Sequence, residues 1–136
     1  MEKVKLTLIT ACLLLVTVMA ANSLAAGPKD LAGEYVVAGW EPGSNISGTP
    51  DYKGWVTLQA WGEAWKYLGL MDGQNYTGVG IYDDLTGTLS LSFVNEDNSE
   101  SGVTVLKHTI GQLKGRWVYV GYADGKTGTE IWTRKK

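Results

Sequence analysis

The chain has 136 residues, with 12 basic and 14 acidic side chains interspersed along it and a single cysteine. Interspersed charges without a basic stripe do not favour nucleic-acid binding, and one cysteine excludes an internal disulfide. Six tryptophans, seven tyrosines and 18 glycines, without sustained helical spacing of the apolar residues, favour a β protein of one domain.

The N-terminal segment is typical of a secretory signal peptide. Two lysines precede an apolar run over residues 6–21, and small residues follow it up to Ala25. This run of 16 residues is shorter than the roughly 20 that span a bilayer. The competing interpretations are a membrane anchor and lipidation at Cys12. We predict cleavage after Ala25, one secreted or periplasmic domain at residues 26–136, and no membrane span after cleavage.

Short strand-like runs, rich in aromatic and β-branched residues, recur through the rest of the chain. Turn-forming residues separate them, and no separating segment is long enough for a crossover helix. The sequence therefore predicts an all-β fold, an eight-stranded antiparallel up-and-down barrel, with a two-sheet β-sandwich as the alternative. The predicted strands are Gly33–Trp40, Gly54–Trp61, Ala64–Leu70, Tyr76–Tyr82, Thr88–Val94, Gly102–His108, Leu113–Val120 and Thr129–Arg134.

Two short hairpins test the strand assignment, because a two-residue turn sets which residues face each other. Turns at residues 62–63 and 72–73 both place aromatic side chains opposite small or aliphatic ones on the same face of the sheet. This agreement predicts a face filled by aromatic rings that lie over glycines. The predicted pairs are Ala60–Trp65, Leu58–Tyr67, Val56–Gly69, Trp65–Gly80, Tyr67–Gly78 and Gly69–Tyr76.

The opposite face of the second to fourth strands is not a clean polar surface. An antiparallel sheet that meets water should alternate apolar and polar side chains, and several large apolar residues break that alternation here. We therefore predict a partner surface through strands two to four, in a homo-oligomer or against another protein. The alternative is a second sheet that covers it. The candidate residues are Trp55, Trp61, Leu68, Leu70, Val79 and Ile81.

A phrase occurs twice in the sequence, as "LAGEYVVAG" at residues 31–39 and as "LKGRWVYVG" at residues 113–121. In a closed eight-stranded barrel these copies would belong to the first and seventh strands, which are the two neighbours of the last strand. The repetition therefore predicts closure, with both copies paired to Thr129–Arg134.

The opening "KDLAGEYVV" resembles the start of calycin barrels, the lipocalin and avidin-like proteins, in which a Gly-x-Trp begins the first strand. Tyr35 stands here in place of that tryptophan. The resemblance also implies that Arg134, on the last strand, packs over this aromatic residue. A Gly-x-Trp does occur at residues 115–117, and lipocalin-type disulfides are absent. The chain also resembles uncharacterised secreted bacterial proteins with a Gly-Val-Gly-Ile core strand, here residues 78–81.

The sequence offers little for catalysis, and we predict no catalytic residues, no metal site and no cofactor. His108 is the only histidine, and no motif of a nucleophile, zinc or phosphate site occurs. A carboxylate-dependent glycoside hydrolase is a distant alternative, because acidic residues are available. They are Glu63, Asp83, Asp84 and Glu130.

The aromatic residues of the predicted interior are the best candidates for function. An eight-stranded barrel has room either for its own side chains or for one small ligand, and glycines alternate with these aromatics. We predict a secreted, non-enzymatic binding module for a small apolar or amphipathic ligand or a protein partner. The alternative is a structural or inhibitor-type envelope protein without a small-molecule ligand. The candidate ligand-binding residues are Trp65, Tyr67, Tyr76 and Trp117.

Overall fold

A computed structural model describes residues 31–122 and 124–136 of the chain; the predicted signal peptide and its predicted cleavage site lie outside these residues. The described residues form eight strands and no helix. None of them therefore belongs to a helix that is long and apolar enough to cross a membrane. The strands are β1 (Gly33–Trp40), β2 (Tyr52–Trp61), β3 (Ala64–Met71), β4 (Gln74–Asp83), β5 (Thr88–Asn95), β6 (Ser101–Thr109), β7 (Gln112–Tyr119) and β8 (Gly128–Arg134).

The strands form one closed antiparallel barrel, in which each strand pairs with the next and β8 pairs with β1. The predicted eight-stranded barrel is therefore confirmed, and the sandwich alternative is wrong because there is no second sheet among the described residues. The copies of the repeated phrase both pair with the last strand, as predicted. Closure leaves no strand edge unpaired, which suits a small domain without a disulfide.

The hairpins follow the predicted register. Trp65 pairs with Ala60 on β2 and with Gly80 on β4, and Tyr67 pairs with Leu58 and Gly78. Several strands extend one or two residues beyond their predicted bounds, and β7 ends one residue earlier, at Tyr119. Asp72 and Gly73 have φ angles of 48° and 81°, the conformation of a two-residue hairpin turn that lets both strands pair up to its ends.

The interior glycines have a different role from the predicted one. A Cβ at Gly78 would collide with the backbone carbonyl of Ser92, and one at Gly115 would collide with that of Val105. These glycines admit the neighbouring strand's backbone and so allow the tight curvature of a narrow barrel. They do not receive the aromatic ring that faces them across the ladder, because side chains in strands lean along the strand.

Three other glycines do make room for aromatic rings. A Cβ at Gly39 would fall within the ring of Tyr52, one at Gly69 would meet the Tyr67 phenol, and one at Gly128 would meet the indole of Trp117. Aromatic packing over glycine is therefore real in this barrel, but its partners are set by the direction in which each ring leans.

One end of the barrel is closed around Tyr35. The guanidinium of Arg134 lies 5.1 Å from the Tyr35 ring centroid and donates hydrogen bonds of 2.9 Å to the Tyr35 hydroxyl and to the carbonyl of Ala32. The Tyr35 hydroxyl in turn donates to the carbonyl of Leu31 at 2.8 Å, and Leu31 is fully buried. The arrangement implied by the calycin resemblance, an arginine over the first-strand aromatic, is present with tyrosine in place of tryptophan.

The closed end also holds most of the aliphatic core. Four leucines from β2, β5, β6 and β7, together with Trp132, are at most 1% exposed. They lie near the turns that join β2 to β3, β4 to β5 and β6 to β7. The leucines are Leu58, Leu89, Leu106 and Leu113. Packing of this core leaves the opposite end of the barrel for the site.

Candidate functional site

A cavity of about 380 Å³ occupies the other half of the barrel. It opens at the end where the β1–β2, β3–β4, β5–β6 and β7–β8 connections lie, because its lining residues come from these connections and from the adjoining strand ends. Seven of the lining side chains are aromatic and four are carboxylic acids. The aromatic ones are Tyr52, Tyr67, Tyr76, Phe93, Trp117, Tyr119 and Tyr122; the acids are Glu41, Asp72, Glu100 and Glu130.

The floor of the cavity is a stack of rings. Tyr67 stacks on Trp132 with a centroid separation of 5.7 Å and an interplanar angle of 20°, and Trp132 packs against Tyr35 at 6.3 Å. Trp132 is fully buried. This stack lies between the cavity and the leucine core, so aromatic rings form the base of the site, and Trp132 is hydrogen-bonded there to Glu130.

Glu130 is a buried carboxylate in the cavity wall. It is 8% exposed, and its two oxygens accept hydrogen bonds of 2.7 Å, one from the hydroxyl of Tyr52 and one from the indole nitrogen of Trp132. Burial raises the pKa of Glu130, and the two hydrogen bonds partly offset this increase. The pKa of Tyr52 is raised as well, chiefly by burial and then by the negative charge of Glu130.

Tyrosine hydroxyls at the mouth donate to the other carboxylates. Tyr76 donates to Glu100 at 2.6 Å, and the hydroxyl of Tyr119 lies 3.3 Å from that of Tyr76. Tyr122 donates to Glu41 at 3.3 Å. Burial raises the pKa of Tyr119 to about 12 and also raises that of Tyr76. Tyr76 and Tyr122 are therefore the donors to the acidic groups, whereas Tyr119 contacts the hydroxyl of Tyr76.

Trp117 lies at the centre of the aromatic wall. Its ring is 4.9 Å from that of Tyr119, 6.2 Å from that of Tyr122 and 6.3 Å from that of Tyr52. The side chain is 4% exposed, and its indole nitrogen has no hydrogen-bond partner among the described residues. A buried N–H of this kind gains from an acceptor on another molecule, whether water or ligand.

Three of the four predicted ligand-binding residues line the cavity: Tyr67, Tyr76 and Trp117. The fourth, Trp65, is buried in the core and is not part of the lining. Its place follows from the register, since Trp65 is the second residue of β3, near the closed end of the barrel, whereas the cavity lies toward the other end of that strand. A role in binding remains a prediction for all four.

The sequence reasoning missed most of the mouth. Alternation from Trp117 along β7 points to Tyr119, and this signal was available. Glu41, Glu100 and Tyr122 lie in connections, where the alternation of side chains gives no direction, and β2 begins at Tyr52, two residues before its predicted start. Only folding brings these segments to one opening.

The carboxylates of the hydrolase alternative do not form one site. Glu63 lies in the β2–β3 connection, Asp84 lies in the β4–β5 connection and Asp83 ends β4, all at the closed end, whereas Glu130 lies in the cavity. His108 is also near the closed end, with its Nδ1 atom 3.3 Å from the hydroxyl of Tyr82. Within residues 31–122 and 124–136, no group of three or more His, Cys, Asp or Glu side chains is arranged to hold a metal ion.

The predicted partner surface is largely exposed. Trp55, Trp61 and Ile81 are 50%, 53% and 69% exposed, and Leu68 and Val79 are exposed as well, while Leu70 is half-buried. No second sheet covers these side chains in the described part of the chain, so that alternative is wrong. Lys66 lies between them, with its ammonium 5.0 Å from the ring centroid of Trp61.

No family model and no curated protein matches the amino-acid sequence. Solved structures that resemble the chain include one described as "REP1-NXSQ fatty acid transporter", with 8% identity and a TM-score of 0.48, covering 80% of this chain and 98% of that one. Another is apo lipid binding protein 8 of Caenorhabditis elegans, with 10% identity and a TM-score of 0.48, covering 83% and 100%. At these identities the likeness concerns the barrel fold alone.

Proposed function

We propose that this protein is a secreted, non-enzymatic barrel that binds one small amphipathic molecule in its open end. The observation that carries the proposal is the cavity of about 380 Å³, which has an aromatic wall and polar groups from the exposed Glu41 at its rim to the buried Glu130. Ligand pockets for small molecules fall in the range of about 300 to 1,000 Å³ and combine apolar walls with a few directed polar groups.

The cavity is built on regular strands, which supports a preformed site. Tyr67, Tyr76 and Trp117 project from paired strands, and neighbouring rings or hydrogen bonds hold each of them in place. A ligand that enters such a site loses little free energy to reorganisation of the protein. The apolar part of the ligand would contact Tyr67, Phe93 and Met71, and its polar part would face the hydroxyls and carboxylates at the mouth.

Tyrosine hydroxyls hold three carboxylates of the cavity in place. Each of Glu41, Glu100 and Glu130 accepts a hydrogen bond from a tyrosine hydroxyl whose own pKa is raised. These pairs orient the carboxylates as fixed acceptors.

Nuclear magnetic resonance with three hexyl compounds tests the proposal: hexanol, hexyltrimethylammonium and hexanoate, each at millimolar concentration. We expect at least one of them to shift amide resonances of cavity residues such as Tyr67 and Thr104, and to leave those of the closed end unchanged. If none of the three shifts the cavity resonances, the binding function is refuted.

A matched pair of variants locates the site. Gln74→Trp places a large ring at an exposed position that lines the mouth, whereas Gln59→Trp places the same ring on the outer surface of β2. We expect Gln74→Trp to weaken binding by about tenfold or more through occlusion, which corresponds to about 1.4 kcal/mol, and Gln59→Trp to leave it unchanged. Equal effects would place the ligand elsewhere.

A second candidate role is self-association through the outer face of β2–β4. The supporting observation is the set of large apolar side chains exposed there, with Ile81 at 69%. Size-exclusion chromatography with light scattering on residues 26–136 tests it, and a clean monomer at micromolar concentration would refute it. If the protein is an oligomer, Ile81→Lys should dissociate it. Ile110→Lys, at an exposed position in the β6–β7 turn, should not.

A further inference from the structure

We propose that the polar group of the ligand is a cation, an amine or quaternary ammonium, which binds between the aromatic wall and the carboxylates of the mouth. This inference rests on the proposed binding function and specifies the chemistry of the same cavity. Three features of the cavity support it: the charges of the lining, the geometry of three neighbouring rings and one buried indole N–H.

The charges of the lining all have one sign. Glu41, Asp72, Glu100 and Glu130 line the cavity, and none of its 14 lining residues is lysine, arginine or histidine. The carboxylates are distributed over depth, since Glu41 is exposed at the rim, Glu100 is half-buried and Glu130 is buried. A cation would meet carboxyl groups at every level of the cavity, and an anion would meet no basic side chain at any level.

Trp117, Tyr119 and Tyr122 form a cluster of three rings beside these carboxylates. The three centroid separations are 4.9, 5.1 and 6.2 Å, and the ring planes of Tyr119 and Tyr122 are at 83° to each other. In an edge-to-face pair the edge of one ring points at the face of the other, so a cation would contact the ring faces that the cluster leaves uncovered, as in the aromatic cages that bind quaternary ammonium groups. The cluster therefore supplies aromatic faces where the carboxylates supply charge.

Hydrogen bonds tie the cluster to the acidic groups on both sides. Tyr122 donates to Glu41 at 3.3 Å. On the other side, Tyr119 lies within 3.3 Å of Tyr76, which donates to Glu100 at 2.6 Å. Neither carboxylate is neutralised by a basic side chain in these contacts. The negative charges remain available to a ligand that approaches the rings.

Trp117 gives an independent sign of a binding partner. Trp117 lines the cavity, and its indole N–H is buried with no acceptor within the described ranges. An oxygen atom of the ligand or a bound water near the ammonium group would satisfy this donor. A small amine that also carries a hydroxyl, ether or carbonyl oxygen therefore meets both requirements of the wall.

The electrostatics of Glu41 supports the same conclusion. Partial desolvation raises the pKa of Glu41, the hydrogen bond from Tyr122 opposes this, and the charges of Asp51 and Glu100 raise it further. A cation placed among these groups favours their ionised forms and reverses the increase. The affinity of the cavity for a cation should therefore increase as the pH rises from 4.5 to 7.5.

Isothermal titration calorimetry at pH 7.5 ranks hexyltrimethylammonium, hexanol and hexanoate, which share one hydrocarbon chain and differ in charge. We expect the cation to bind on the order of tenfold more tightly than hexanol, from cation–π and ionic contacts together, and hexanoate to bind most weakly. Added salt should lower the affinity for hexyltrimethylammonium and leave the affinity for hexanol unchanged. Hexanol binding as tightly as the cation, or hexanoate binding best, would overturn this inference and leave the binding function standing.

Variants separate contact from general charge. Glu41→Gln and Glu100→Gln each remove one lining carboxylate. We expect each variant to bind hexyltrimethylammonium several-fold more weakly and to bind hexanol with unchanged affinity. Glu96→Gln is the matched control, since Glu96 lies in the β5–β6 connection at the same end but is not part of the lining. If all three variants lower the affinity for the cation equally, the cation does not bind at the aromatic cluster. If none of the three hexyl compounds binds, the binding function fails and the inference fails with it.

Discussion

Replacement of Glu130 by glutamine gives the most direct test of the cavity's electrostatics. In the folded protein this carboxylate is 8% exposed and its pKa is raised, mainly by burial. The folded state therefore holds the proton more tightly than the unfolded chain does. The stability that Glu130 contributes is complete below its ordinary pKa of 4.5 and is lost as the pH rises through the folded-state value.

The size of the effect follows from the linkage of one proton. Between the unfolded and folded pKa values, Glu130 lowers the free energy of unfolding by up to about 1.4 kcal/mol per pH unit. Glutamine does not titrate, so Glu130→Gln lacks this loss. At pH 4 the variant should be less stable by about 1 kcal/mol, because a single amide oxygen cannot replace two accepting oxygens. Its relative stability should then improve as the pH rises.

Thermal unfolding followed by tryptophan fluorescence, at intervals from pH 4 to 8.5, measures the difference between the two proteins. For a domain of about 100 residues, 1 kcal/mol corresponds to about 4–8 °C in Tm. We therefore expect the difference in Tm to change in favour of Glu130→Gln by at most roughly 6–11 °C per pH unit. Glu34→Gln, on the outer surface, controls for the loss of one negative charge. A difference that stays constant across this pH range would refute the description of Glu130.

Three further predictions concern the packing of the barrel. Gly128→Ala should lower the free energy of unfolding by about 1–3 kcal/mol in urea denaturation, because its Cβ would collide with the Trp117 ring and the Trp40 carbonyl oxygen. Gly121→Ala, in open space, should change the free energy of unfolding little. Equal effects of the two substitutions would contradict the packing at Gly128. Arg134→Lys should cost about 1–2 kcal/mol in the same assay, since lysine cannot keep both hydrogen bonds and the ring contact; an unchanged midpoint would contradict this role. At pH 11, the folded protein should show less tyrosinate absorbance at 295 nm than the denatured protein, and equal absorbance would contradict the raised pKa values of Tyr52, Tyr67, Tyr76 and Tyr119.

The sequence alone was sufficient for the strands and for their order around the barrel. Alternating side chains and short turns are local signals, and a turn such as residues 72–73 determines the register of its hairpin without help from the rest of the chain. The repeated phrase predicted closure for a related reason, since two strands that share one neighbour experience similar surroundings. The same local logic identified Tyr67, Tyr76 and Trp117 as interior residues.

Only the tertiary structure decided what the interior contains. Whether Trp65 packs in the core and Trp117 lines a cavity depends on their height in the barrel, which is set by the stagger of all eight strands and by no single hairpin. The acidic mouth depends on loops far apart in sequence, with Glu41 and Glu100 brought near the last strand's Glu130 by closure. Strand periodicity encodes which face a residue occupies, and the packing of the closed barrel determines the space and the charges that it meets there.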